Sequence, residues 1–184
     1  MTGSTAEDIV ANSRHILWEF GEFSQSLQQL NMTASGCSYW KAPIEGVIKV
    51  NFDGATFAEW GAGGIGVIAH DYTSACVSRR MIPVNFKASS EHVELLAATA
   101  AVDLAREKEW LHVIVEGDCL SVINKLTTDG RDFSILGNLV EDIKKKASYF
   151  SSCQFSYIKR EANSAAHRLA RAANPRADAS HTVL

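Results

Sequence analysis

Val47-Ile48-Lys49-Val50-Asn51-Phe52-Asp53-Gly54 alternates apolar and polar side chains over most of its length and ends on an acid followed by glycine. Alternation at period two puts one set of side chains on each face of a pleated strand, so residues 47–54 are predicted to form a strand. Downstream, residues 61–70 are glycine-rich and then β-branched, and residues 75–83 form a further apolar, β-branched stretch. The connections are short, which makes the three strands an antiparallel meander. Residues 89–108 lack Gly and Pro and are rich in Ala and Leu, which predicts a helix capped by Ser89 or Ser90. A fourth strand over 111–116, helices over 119–126 and 135–147, a fifth strand over 154–159 and a helix over 162–173 complete the order. Asn174-Pro175 ends that last helix.

The order βββ-α-β-α-α-β-α predicts an α/β layered domain: a five-stranded mixed sheet, three strands antiparallel and then parallel strands joined by crossover helices. Gly61, Gly63, Gly64 and Gly66 precede no helix, so they read as a turn and a thin strand rather than a phosphate-cradling loop. Upstream, Ile9, Val10, Ile16, Leu17, Phe20, Phe23, Leu27 and Leu30 recur at mostly helical steps. The division expected is a helical extension and linker over 1–45, a domain over 46–173 and a tail over 174–184.

With 184 residues, 46% of them hydrophobic, such a domain can bury its own core. Cys37, Cys76, Cys119 and Cys153 are scattered, with no paired spacing, and read as reduced thiols rather than a zinc site or a disulfide framework. The first eight residues are polar and acidic, unlike a secretory signal. No apolar run approaches the about 20 residues needed to span a bilayer. An intracellular protein of nucleus or cytoplasm is expected, with no membrane partner. Net charge is −3, yet between residues 144 and 176 Lys144, Lys145, Lys146, Lys159, Arg160, Arg168, Arg171 and Arg176 stand against Glu161 alone. That stretch suits a phosphate backbone or, more plainly, a solvated helix face.

Asp53 and Asp118 end strand-like runs, and Glu94 opens the Glu94-Leu95-Leu96-Ala97-Ala98 helical stretch. Hard divalent cations take oxygen ligands, so carboxylates brought together from separate elements make a candidate metal site. Each has a plainer reading: a turn acid for Asp53, an exposed first-turn acid for Glu94 and a helix N-cap for Asp118.

Taken in order, Lys49-Val-Asn-Phe-Asp-Gly-Ala55, Gly61-Ala-Gly-Gly-Ile-Gly-Val67, Glu94-Leu-Leu-Ala-Ala98, Glu116-Gly-Asp118 and Arg160-Glu-Ala-Asn-Ser-Ala-Ala-His-Arg-Leu-Ala170 resemble the ribonuclease H-like domain. The resemblance runs over about residues 46–173 and is nearest the reverse-transcriptase-like, retroelement-derived branch abundant in plants. It implies hydrolysis of the RNA strand of RNA–DNA hybrids with two Mg²⁺ ions, Mn²⁺ being an alternative. Asp53 would bridge both ions, with Glu94 and Asp118 completing one shell. Gly54, Ala55, Thr56, Ser90, Cys119, Arg160 and Asn163 would meet the nucleic acid, in part through 2′-hydroxyls. The family's fourth carboxylate is replaced by His167, a neutral ligand or a structural histidine. The loop 159–162 carries Arg160, suited to phosphate, and no histidine. Three functions therefore stay open: a weak hybrid endoribonuclease, a catalytically impaired nucleic-acid-binding module, and an interaction domain docking a protein partner through residues 1–35.

Overall fold

The computed structural model describes residues 39–130 and 132–175. The helix expected over residues 1–30 and all but the first residues of the tail lie outside the described residues. Strands β1 (Ile48–Phe57), β2 (Ala62–His70), β3 (Cys76–Val84), β4 (His112–Gly117) and β5 (Ser152–Tyr157) form one five-stranded sheet in the order β3-β2-β1-β4-β5. The β1–β2 and β2–β3 pairs are antiparallel; β1–β4 and β4–β5 are parallel. The expected mixed sheet is present, with β1 at its centre.

Among the described residues, four α-helices accompany the sheet: α1 (Ser90–Glu107), α2 (Leu120–Thr127), α3 (Gly137–Ala147) and α4 (Ser164–Ala172). Ser89 caps α1, its Oγ accepting the His92 N–H at 3.2 Å. The core comprises Val50, Phe52, Val67, Leu95, Ala98, Val102, Leu104, Val113, Val115, Val122 and Ile143, all fully buried. A second, smaller cluster of Ala55, Phe57 and Ala170 lies under α4.

Glycines set how closely the helices approach the sheet. A Cβ on Gly54 would lie 2.7 Å from the Glu94 backbone nitrogen at the start of α1, and one on Gly66 would lie 2.2 Å from the Ala166 carbonyl oxygen of α4. A Cβ on Gly64 would lie at the same distance from the Ala170 carbonyl oxygen. The glycine-rich strand is therefore a packing surface, as the sequence suggested.

Several element bounds differ from expectation: β1 runs on to Phe57 rather than ending at 54, and α4 begins at Ser164 rather than 162. Strand β5 starts at Ser152 and stops at Tyr157, not at 154–159, because it pairs along β4 from His112↔Ser152 to Gly117↔Tyr157. Lys159 already belongs to the turn before α4, its carbonyl accepting the N–H groups of Ala162 and Asn163. Helix α3 begins at Gly137, after a turn in which Gly137 N–H meets the Ser134 carbonyl; Phe133 and Ile135 stand out in solvent before it. Trp40 and Lys41, expected in the linker, are bonded to β1: the Trp40 indole N–H donates to Asn51 Oδ1 at 3.0 Å, and Lys49 Nζ donates to the Lys41 carbonyl at 2.8 Å. No described helix is long and apolar enough to cross a membrane. Cys76, Cys119 and Cys153 are free thiols, and burial pushes that of Cys153 up to about 12.

Candidate metal centre

Alternation along β1 turns Lys49, Asn51, Asp53, Ala55 and Phe57 to the α4 side of the sheet, while Val50, Phe52 and Gly54 face α1. Asp53 pairs with Gly66 on β2, so the acid stands beside the glycine over which α4 passes. It is not a turn residue: β1 continues to Phe57, and Asp53 is 1% exposed. Asp118 follows β4 directly. The cap position of α2 is Cys119, and Asp118 accepts instead from Arg160 Nη1 (3.3 Å) and Asn163 Nδ2 (3.4 Å). Gly117 before it admits the Phe52 ring, which a Cβ would meet at 2.4 Å. Glu94 departs furthest from its plain reading. It is the fifth residue of α1, buried, and its Oε2 accepts the Gly54 N–H at 3.2 Å.

Oxygens of Asp53, Glu94 and Asp118 lie within 4.8 Å of one another. Burial pushes the Glu94 carboxyl up to about 8, helped by the charges of Asp53 and Asp118, while the Gly54 N–H and Arg160 oppose the rise. Burial likewise pushes Asp53 up to about 6; the His167 hydrogen bond works against this and Asp118 reinforces it. Asp53 Oδ1 is buried with no hydrogen-bond partner. Three hard oxygen donors, under-compensated and converging, with one lone buried oxygen among them, fit a divalent cation.

His167 stands outside that set of three. Its Nδ1 lies 3.0 Å from Asp53 Oδ2, and Arg160 Nη2 lies 3.0 Å from Nδ1 and 3.3 Å from Nε2. A guanidinium only donates and an ionised carboxylate only accepts. The arrangement that satisfies every group has Nδ1–H donating to Asp53 and Nε2 accepting from Arg160. His167, expected among the ligands, is placed as a partner of Asp53.

The expected nucleic-acid contacts divide by exposure. Ser90 and Arg160 are exposed, Thr56 and Cys119 are half-buried, and the Gly54 N–H is taken by Glu94. Ala55 and Asn163 are buried. Ala55 lies under α4. Asn163 Nδ2 donates to the Phe52 carbonyl at 2.8 Å as well as to Asp118, tying the start of α4 to β1 and β4. Sequence reading also missed a buried network beside the centre. Lys49 Nζ meets Glu116 Oε1 at 3.0 Å, and Asn51 Nδ2 donates to Glu116 Oε2 at 3.1 Å and to Asn163 Oδ1 at 3.4 Å. Burial raises the Glu116 carboxyl, and Lys49 and Asn51 restrain the rise. A lysine and an asparagine at the same parity as Asp53 in a core strand were the available signal, since buried polar groups need partners.

The reverse-transcriptase-like family model matches residues 51–173. No curated protein matches the chain. Among solved structures, the domain resembles RNase H1 of the halophilic archaeon Halobacterium salinarum (TM-score 0.58, 21% identity, 69% of this chain and 96% of that one). It also resembles the N-terminal RNase H domain of Rv2228c from Mycobacterium tuberculosis (TM-score 0.64, 20% identity, 73% and 97%). A third likeness is to LC11-RNase H1 solved in complex with an RNA/DNA hybrid (TM-score 0.61, 20% identity, 71% and 98%). At these identities the structural likeness speaks for the fold, and the family match covers most of the described domain. The chain belongs to the reverse-transcriptase-like family and carries its ribonuclease H-like domain.

Proposed function

We propose that this chain binds RNA–DNA hybrids and hydrolyses their RNA strand slowly, using Mg²⁺ or Mn²⁺ held by Asp53, Glu94 and Asp118. The observation that carries this reading is the convergence of three carboxylates around the unpartnered Asp53 Oδ1. A bound divalent ion supplies Lewis acidity, lowering the pKa of an attacking water and stabilising the leaving 3′ oxygen. The chain's residues do the positioning. The Gly54 N–H fixes Glu94, Asn163 and Arg160 fix Asp118, and His167 fixes Asp53. Thr56 and Ser90 carry hydroxyls suited to the 2′-OH of an RNA strand, and Arg160 to a phosphate. That one structural relative was solved with an RNA/DNA hybrid supports the substrate class. Slowness follows from His167, which brings no negative charge where a fourth carboxylate would.

The second reading, a nucleic-acid-binding module without turnover, is favoured by two contacts: Asp53 Oδ2 with His167, and Asp118 Oδ2 with Arg160. A labelled RNA–DNA hybrid incubated with wild type, Asp53→Asn and His167→Asp in Mg²⁺ and in Mn²⁺ separates them. Cleavage by wild type that disappears in Asp53→Asn establishes the nuclease. Salt-sensitive binding with no cleavage by wild type in either ion establishes the binding module.

A further inference from the structure

The two oxygens of Asp53 have opposite environments. Oδ1 is buried without a hydrogen-bond partner, whereas Oδ2 lies 3.0 Å from the Nδ1 atom of His167. An aspartate that bridges two cations presents an oxygen to each; here one of the two faces a donor. Asp118 Oδ2 likewise faces a donor, the Arg160 guanidinium at 3.3 Å, while its Oδ1 lies 3.4 Å from Asn163 Nδ2. Arg160 also reaches His167, so one side chain closes over both the histidine and the acid. A guanidinium is a permanent cation with no acceptor, and it cannot share in ligating a metal ion.

We propose that, with no nucleic acid bound, this centre holds a single divalent ion on Asp53 Oδ1, Glu94 and Asp118, with His167 and Arg160 acting as a built-in substitute for a second ion. The proposal rests on reading the three carboxylates as a metal centre. Charge argues the same way as geometry. Three carboxylates are balanced by one divalent ion and one guanidinium, whereas a second divalent ion would leave two positive charges uncompensated in a mostly buried site. His167 is the positioning residue: it holds Asp53 Oδ2 and offers Nε2 to Arg160, keeping the guanidinium at Asp118.

Mn²⁺ titrated into the full chain, with the free ion followed by electron paramagnetic resonance, reads the stoichiometry directly. Wild type takes one ion and His167→Asp takes two. His167→Asn, which can still donate toward Asp53 and adds no charge, stays at one. Arg160→Gln removes the competing cation and tightens the single ion about two- to fivefold, the range for a partly exposed ion pair. Should His167→Asp fail to fold, as circular dichroism would show, the Arg160→Gln and His167→Asn arms still decide. Two ions on wild type, no ion on wild type, or unchanged affinity in Arg160→Gln each overturns the proposal. The hybrid-cleavage assay keeps the two readings apart. Two ions with cleavage leaves the nuclease standing without this proposal, and one ion without cleavage does the reverse.

Discussion

Glu94 is 6% exposed and shares its surroundings with two other carboxylates, so its proton is held far above the usual carboxylate range, to about 8. In the unfolded chain the same group titrates near about 4.3. Between those values the native state carries the proton that the unfolded state has lost, and stability falls as pH rises. Asp53, pushed up to about 6, adds to the fall over the lower part of that window. Thermal unfolding in chelator should therefore show the domain more stable at pH 5 than at pH 8. Glu94→Gln should recover about 1–3 kcal/mol at pH 8 and almost nothing at pH 4. Saturating Mn²⁺ should reverse the ranking at pH 8, wild type then melting above the variant. Asn163 acts through its amide instead. Asn163→Ala leaves the Phe52 carbonyl without its side-chain donor and should cost about 1–3 kcal/mol in urea denaturation. The identities of the three acids were legible in the sequence. The depth of Glu94 was not, because nothing local says that the start of a helix will rest on Gly54. Nor was the inward turn of Asn163, whose partners lie on β1 and just past the end of β4, more than 40 residues away.

At the scale of elements, α4 is set against β2 at Gly64 and Gly66, where its own carbonyls lie closer than any Cβ tolerates. Gly66→Ala should push the helix outward, cost about 1–3 kcal/mol as overpacking does, and loosen His167 from Asp53. The His167 imidazole resonances in a nitrogen-15 NMR spectrum report that last effect; an unchanged ring environment would rule it out. The sequence foretold the role of these glycines because no helix follows them. It misplaced β5 by two residues for an identifiable reason. That strand lies at the sheet edge, most of its residues are half-buried, and its alternation is correspondingly weak. Its register comes from pairing with β4, which is information carried by another segment.

Across the whole molecule, charge is arranged rather than abundant. Much of the basic C-terminal third is engaged internally: Lys144 with the Thr128 carbonyl, Lys146 with Asp103, Arg171 over the Phe57 ring and Arg160 at the metal centre. A hybrid-binding isotherm should then weaken with salt along a shallow slope, reflecting a few phosphate contacts rather than the eight basic residues of the segment. The domain also begins earlier than its sequence motifs, because Trp40 and Lys41 satisfy Asn51 and Lys49 of the buried network. A chain starting at residue 46 should unfold at lower urea than one starting at 37, by about 1–3 kcal/mol for the buried polar groups left unpartnered. Reading by periodicity missed this, since Trp40 lies where the pattern lapses and only its indole N–H reveals the attachment. His167 has a consequence of another kind. A histidine codon becomes an aspartate codon by changing its first base from C to G, and α4 already holds that side chain against Asp53. A single base change thus separates this centre from one with four carboxylates, the fourth delivered by α4 from the position that now faces Asp53.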